Sequence, residues 1–391
     1  MNTIRILALH LAYGGVEKAI VSMANLFAER YPVEIISVYR MPGSPAFPLD
    51  ERVKVRYLLD EVPNRAEWHQ AVRARKPLAI LRESLRAIRI LYAKKRAVRE
   101  TILSIHDGTL IATRHEDDLV LSRLGDPKVW KIGQLHHDHA FKKRYLRGFR
   151  RGYCGLDVLA LLTPGMVEEA RRYMPEGAKT RLAYVPNFLE HFPEKVLLGK
   201  KEKTLLAVGR LEPVKGFERL LDCFVQIHAR HPDWALRIVG EGSERERLER
   251  RIGELGLADR VTLTGRLDSA GVEEEMLRAS IYVMTSRTEG FPFVLLEAQS
   301  CGLPTVAYDV RVGPAAVIDP GRDGYLVPDG DGAAFAERVQ TLIDDRSLRE
   351  EMARAAQAYS REFSREKVAR IWEDVLRCGF DPAPEEKRRE R

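Results

Sequence analysis

The feature that most restricts how this chain can fold is an alternation, met twice, of short apolar runs with amphipathic stretches of helical period. In the first half IRILALHL leads through a Gly-Gly turn into VEKAIVSMANLFAER, then VEIISVY and VKVRYLL. This is the rhythm of βαβ units and a parallel sheet, whose strands are covered on both faces and read as near-continuous apolar runs. The second half repeats it. TLLAVGR, ALRIVGEG, RVTLTG, IYVMTS, TVAYD and GYLVP read as strands, with helices over 216–231, 243–256 and 269–279 and a short one with Pro292 in its first turn. Helices over 332–344, 346–362 and 365–377 close the chain. At 391 residues it is too long for a single core, so two domains are expected. The aperiodic, charged FLEHFPEKVLLGKKEK after Asn187 is placed as the linker. The domains are then 1–190 and 191–364, followed by a last helix and a disordered tail over 365–391.

One stretch interrupts the rhythm. Residues 71–100 read as a single long helix in which Leu81, Leu85, Ile88 and Leu91 form an apolar stripe at spacings of three or four. Around the stripe stand ten basic side chains against Glu83 and Glu100, an excess larger than the +7 of the whole chain. A second basic cluster, FKKRYLRGFRR, follows WKIGQLHHDHA. A basic amphipathic helix suits an anionic membrane surface or an anionic acceptor. The alternative is a solvated helix whose stripe packs on its own domain.

Other classes are excluded or disfavoured. No run of 18 apolar residues is present, and the N-terminal apolar segment ends at Gly14-Gly15 without a cleavage site, so neither a membrane span nor a signal peptide is expected. Cys154, Cys223, Cys301 and Cys378 are far apart and match no metal or redox spacing, which fits reduced thiols in the cytoplasm. No aromatic–basic module for nucleic acid is visible.

Chemistry-bearing residues fall where strands end. Gly14-Gly15 sits between the first strand and its helix, where backbone N–H groups can approach a phosphate. GRLEPVKG puts Arg210 and Lys215 at the carboxyl edge of the second sheet, two cations suited to a diphosphate. SRTEGFPFVLLEAQS carries Glu289 on a loop and Glu297 one turn into a helix, with the amides of Gly290 and Phe291 at the helix start. After WKIGQL come His136 and His137. One of them, His136 by position, points into a cleft to hydrogen-bond or transfer a proton, and zinc is not expected at this spacing. Taken singly, each of these patterns also reads as an ordinary solvated loop or tight turn.

Taken together they resemble glycosyltransferase family 4, the retaining, nucleotide-sugar-dependent enzymes. The E-x7-E element is matched by Glu289 and Glu297, the G-R-x4-K-G element by Gly209, Arg210, Lys215 and Gly216, and the glycine loop by Gly14 and Gly15. DVRVGP at 309–314 and the DGYLVPDGD after it are similar too. The resemblance implies the GT-B fold, an α/β architecture of two doubly wound Rossmann-like domains facing a central cleft, with the C-terminal helix crossing back. It implies that Arg210, Lys215 and the amides near Gly15, Gly290 and Phe291 hold the donor diphosphate. Glu297 would bind the ribose and Glu289 the transferred sugar near the reacting carbon, with His136 facing sugar and acceptor.

The expected reaction moves a hexose or N-acetylhexosamine, from a UDP-linked donor, to a glycan, lipid-linked or anionic glycopolymer acceptor. Neither metal nor other cofactor is expected, and Asp329-Gly330-Asp331 lies in a late turn. The expected location is the cytoplasm, peripheral on the inner face of the cell membrane through 71–100 and 142–151. A sugar-nucleotide epimerase or phosphorylase of the same fold, or a non-catalytic membrane-bound scaffold, are the alternatives.

Overall fold

The apolar runs become strands because their β-branched and leucine side chains are buried on both faces of a sheet. The computed structural model describes residues 2–137 and 143–380; His139, Lys142 and the tail from 381 lie outside the described residues. The first sheet holds β1 (Ile4–Ala8), β2 (Val33–Tyr39), β3 (Val53–Leu59), β4 (Thr109–Ala112), β5 (Trp130–Leu135), β6 (Val158–Leu161) and β7 (Arg181–Tyr184). Its order is β3-β2-β1-β4-β5-β6-β7, and every pairing is parallel. The second holds β8 (Thr204–Val208), β9 (Ala235–Val239), β10 (Val261–Gly265), β11 (Ile281–Met284), β12 (Thr305–Asp309) and β13 (Gly324–Pro328). Its order is β10-β9-β8-β11-β12-β13, again all parallel.

Both sheets therefore reverse direction beside their first strand, at β1/β4 and at β8/β11. In open α/β sheets that switch point leaves a crevice at the carboxyl ends of the strands, where ligands bind. Ile4 registers with Val33 on one side and Thr109 on the other. Leu205 does the same between Leu236 and Ile281.

The helices are α1 (Gly15–Ala28), α2 (Arg65–Arg73), α3 (Pro77–Leu103), α4 (His115–Leu124), α5 (Lys143–Arg147), α6 (Pro164–Tyr173), α7 (Phe217–Arg230), α8 (Arg245–Glu254), α9 (Ser269–Arg278), α10 (Phe293–Ser300), α11 (Gly332–Asp344), α12 (Arg346–Ser360) and α13 (Arg365–Phe380). The single helix expected over 71–100 is two. Pro77, which has no N–H to donate and disfavours helical geometry in the residue before it, starts α3, and Arg75 between the helices takes a positive φ of 52°. Helices α4 and α6 were not expected from the sequence. Pro292 is the N-cap of α10 rather than a residue of its first turn.

The chain forms two units, one from Met1–Leu161, Val167–Val185 and Ala369–Arg391, the other from Leu162–Met166 and Pro186–Val368. Most of α13 thus belongs to the first unit. There Trp372 meets Phe27 edge-on at 5.2 Å, Glu373 pairs with Arg30 and Asp374 with Arg181. The core of the second unit is centred on Phe224, Tyr308 and Phe335, and truncating a buried phenylalanine of this kind costs about 3–5 kcal/mol.

One buried carboxyl in the second unit carries a titration. Asp323 has no exposed surface, accepts the Asp319 N–H at 2.9 Å through Oδ1, and burial pushes its carboxyl up to about 7. Because the folded state holds this proton more tightly than the unfolded chain, stability is expected to fall as pH rises from about 4 to about 7. Asp323→Asn should remove that slope. Denaturant unfolding at pH 5 and pH 8 is expected to show the variant gaining on the parent by a few kcal/mol (about 1.4 per pK unit); parallel changes in both proteins would rule it out.

Candidate active site

Loops after the two switch-point strands of the second unit bring Lys215 and Glu289 together. After β8 the chain makes a tight turn over Pro213–Lys215 and enters α7 through Gly216, whose φ of 67° is left-handed. A side chain at 216 would also strike the Thr285 carbonyl at 2.2 Å, so glycine is required twice over. The loop after β11 is stitched to this turn. Arg287 N–H donates to Val214 O at 2.8 Å, and Thr285 Oγ1 donates to Gly216 O at 3.0 Å.

Across this seam Lys215 Nζ donates to Glu289 Oε1 at 2.6 Å, with side chains 21% and 10% exposed. An ion pair this short and this shielded is screened far less by salt than a surface pair. Arg210 lies on the same loop, exposed. Gly313, at φ 106°, lies against the site from the third side, since a Cβ there would come within 2.9 Å of Glu289 Cβ. Gly313 of the 309–314 stretch thereby packs on the Glu289 loop.

Glu297 is the fifth residue of α10, a helix otherwise buried almost all round, and it is half-buried with Val294 on the remaining face. Gln299 on the opposite side donates to Val317 O at 2.9 Å. Glu289 and Glu297 both act on the Tyr282 phenol, whose pKa is raised first by burial and then by these two carboxylates. Gly290 is buried, and the Phe291 ring packs edge-on against Phe363 at 5.5 Å, so Phe291 can offer a ligand only its backbone.

Sequence reasoning missed Arg219. From the first turn of α7 it donates to Thr285 O at 2.6 Å and to Ser286 O, pairs with Asp329 at 2.7 Å, and lies 4.3 Å over the Tyr308 ring. It clamps the loop that carries Glu289, and no local pattern in the sequence marked it, since its partners lie 66 residues or more away. The Asp-Gly-Asp of 329–331 is engaged in structure: Asp329 pairs with Arg219 and Asp331 caps α11 through Ala334 N–H. No group of three or more metal-ligating side chains occurs among the described residues.

In the first unit Gly14 is the N-cap of α1 with extended backbone, and a side chain there would meet Glu17 Oε2 at 2.0 Å. Glu17 pairs with His10 at 3.3 Å, whereas a side chain at Gly15 would meet nothing within 4 Å. His136 directly follows β5 and is buried, while His137 is exposed. The same edge holds a polar group that periodicity did not reveal. Burial pushes Asp117 up to about 6 and Asp118 well above the carboxylate range, and His115 Nδ1 lies 2.5 Å from the Tyr153 hydroxyl.

Residues 190–359 match the family model described as "Glycosyl transferases group 1". An exopolysaccharide phosphotransferase of Streptomyces coelicolor is 33% identical over 385 residues, covering 93% of this chain and 39% of the relative. The amylovoran biosynthesis glycosyltransferase AmsD of Erwinia amylovora is 34% identical over 190 residues, covering 49% of this chain and 52% of the relative. The chain thus spans about half or less of the length of these two curated relatives. Among solved structures, S. aureus TarM in complex with fondaparinux, α-GlcNAc-glycerol and UDP superposes with a TM-score of 0.75 at 14% identity, covering 96% of this chain and all of that one. At that identity the likeness establishes the fold, two parallel-sheet Rossmann-like domains of GT-B type.

Proposed function

We infer that this chain, which carries a glycosyl transferases group 1 domain, is a retaining glycosyltransferase that moves a hexose or N-acetylhexosamine from a UDP-linked donor to a glycan acceptor. The observation that carries the reading is the Lys215–Glu289 pair at the β8/β11 switch point, inside the matched segment. A cation and a carboxylate held side by side on rigid loops can serve two adjacent parts of one substrate.

In this reading Lys215 and Arg210 face the donor diphosphate, with the Gly290 and Phe291 amides beside them. Fixed positive charge there stabilises the diphosphate as it takes on negative charge in leaving, without any metal. Glu297 holds the ribose hydroxyls. Glu289 accepts hydrogen bonds from hydroxyls of the transferred sugar, so its carboxylate orients the ring and favours positive charge developing at the reacting carbon. Departure and attack take place on the same face, and the leaving phosphate helps deprotonate the acceptor. Gly14, Gly15 and His136 of the first unit take the parts that the family resemblance implies, the glycine amides toward phosphate and the histidine toward sugar and acceptor. The acceptor is a lipid-linked glycan or an anionic glycopolymer, reached from the cytoplasmic face of the membrane; UDP in the TarM complex supports the choice of base.

The test is a panel of UDP, GDP and ADP sugars assayed for nucleotide release, with thermal shift by the free nucleotides. UDP at 100 times its Kd is expected to stabilise the protein by about 2.7 kcal/mol. The reading fails if no nucleoside diphosphate moves the melting temperature.

A further inference from the structure

Helix α3 is folded inside out along its N-terminal half. One face carries Leu78, Leu81, Leu85, Ile88 and Tyr92 at alternating spacings of three and four, a row continued by Lys95 and Arg99. The opposite face carries Ile80, Glu83, Ala87 and Ile90. Hydrophobicity alone would bury the first face. The structure buries the second: Glu83 is 5% exposed and Ile90 2%, while Leu78, Leu81, Leu85, Ile88 and Tyr92 are 82, 57, 59, 63 and 69% exposed.

The roll of the helix is fixed from beneath. Asn64 Nδ2 donates to both Glu83 Oε2 and Glu83 O at 2.8 Å, and Trp68 Nε1 donates to Ser84 Oγ at 3.0 Å. The Asn64 hydrogen bond, and then Arg82, hold the Glu83 carboxyl below its usual range, so it is ionised where it lies. Val98, Thr101 and Ile102 continue the inner face along the rest of the helix. Turning the leucines inward would break the Asn64 contacts and lift these three out of the core.

Two occupants suit an exposed ridge with this spacing. A second copy of the chain could pack ridge to ridge, since spacings of three and four make a coiled-coil seam. That contact would bring together two rows of exposed Arg82, Arg89, Lys95, Arg96 and Arg99, with Glu83, Glu100 and Glu61 already pairing some of them, so like charges would line the seam. A surface of anionic lipid satisfies both features. Apolar side chains enter the acyl boundary and the bases remain among the headgroups, over a ridge of about 21 Å at 1.5 Å per residue.

We propose that α3 is an in-plane docking helix for an anionic lipid surface. The proposal does not depend on sugar transfer, and its test does not use turnover. The full chain is floated with vesicles of phosphatidylcholine alone or with about 30% phosphatidylglycerol, at low and high salt. Binding is expected to the anionic vesicles, about tenfold weaker at high salt. The triple variant Leu81→Ser, Leu85→Ser, Ile88→Ser is expected to lose binding by about tenfold or more with its melting temperature unchanged, because these side chains are exposed. Leu85→Trp should shift its emission to the blue on anionic vesicles. The proposal is overturned if the parent protein ignores anionic vesicles, if the triple variant binds like the parent, or if the parent is a dimer that the triple variant dissolves without any lipid binding.

Discussion

Lys215→Ala is expected to lower turnover by about 10²–10³-fold, the usual effect of deleting one electrostatic donor aimed at developing charge. The effect on the fold should be small. The backbone turn at 213–216 is held by Gly216, Thr285 and Arg287 rather than by the lysine side chain. Lys215→Arg is a useful companion, since a planar guanidinium cannot place a point charge where the ammonium lies, and only partial recovery is expected. Steady-state nucleotide release with melting temperature as control makes the measurement. Unchanged turnover in the alanine variant would remove Lys215 from the site.

The second large effect separates the two carboxylates. Glu289→Gln keeps the shape of the side chain, removes its charge and is expected to cut kcat by about 10²-fold with nucleotide affinity nearly unchanged, because the lost interaction belongs to the transition state. Glu297→Ala should do the reverse, weakening UDP binding by about tenfold, the loss expected when a charge-assisted hydrogen bond is removed. Calorimetric titration of UDP into each variant, beside single-turnover rates, resolves the pattern. If UDP binds the Glu297 variant as it binds the parent, the division of roles is mistaken.

Much of the fold is legible in the sequence alone. The strands could be read because a doubly covered parallel sheet leaves nearly every strand position apolar, as in TLLAV and IYVM. Lys215 and Glu289 could be named from motif order, but not their contact, since no local rule links residues 74 apart. The contacts of Arg219 and Gly313 were hidden for the same reason, each made with a loop distant in sequence. Helix α4 was missed because its first turn is acidic while Asp117 and Asp118 are buried, against the rule that charge faces water. The polar row at the edge of the first sheet followed it out of sight. For the histidines, position favoured His136, and burial separates it from His137.

The buried Glu83 has a consequence for the energy landscape of the chain. Natural sequences are mostly consistent from local pattern to global fold, and departures concentrate where a surface has work to do. Along residues 78–92 the local pattern asks for one roll of the helix and the tertiary contacts of Asn64 and Trp68 enforce the other. That segment is frustrated, and stability is forgone there. Substitutions that relieve the conflict, such as polar residues along the ridge, should be easy to find in a screen for solubility. Such a screen would discard the very feature that the fold goes against its own hydrophobic pattern to keep outside.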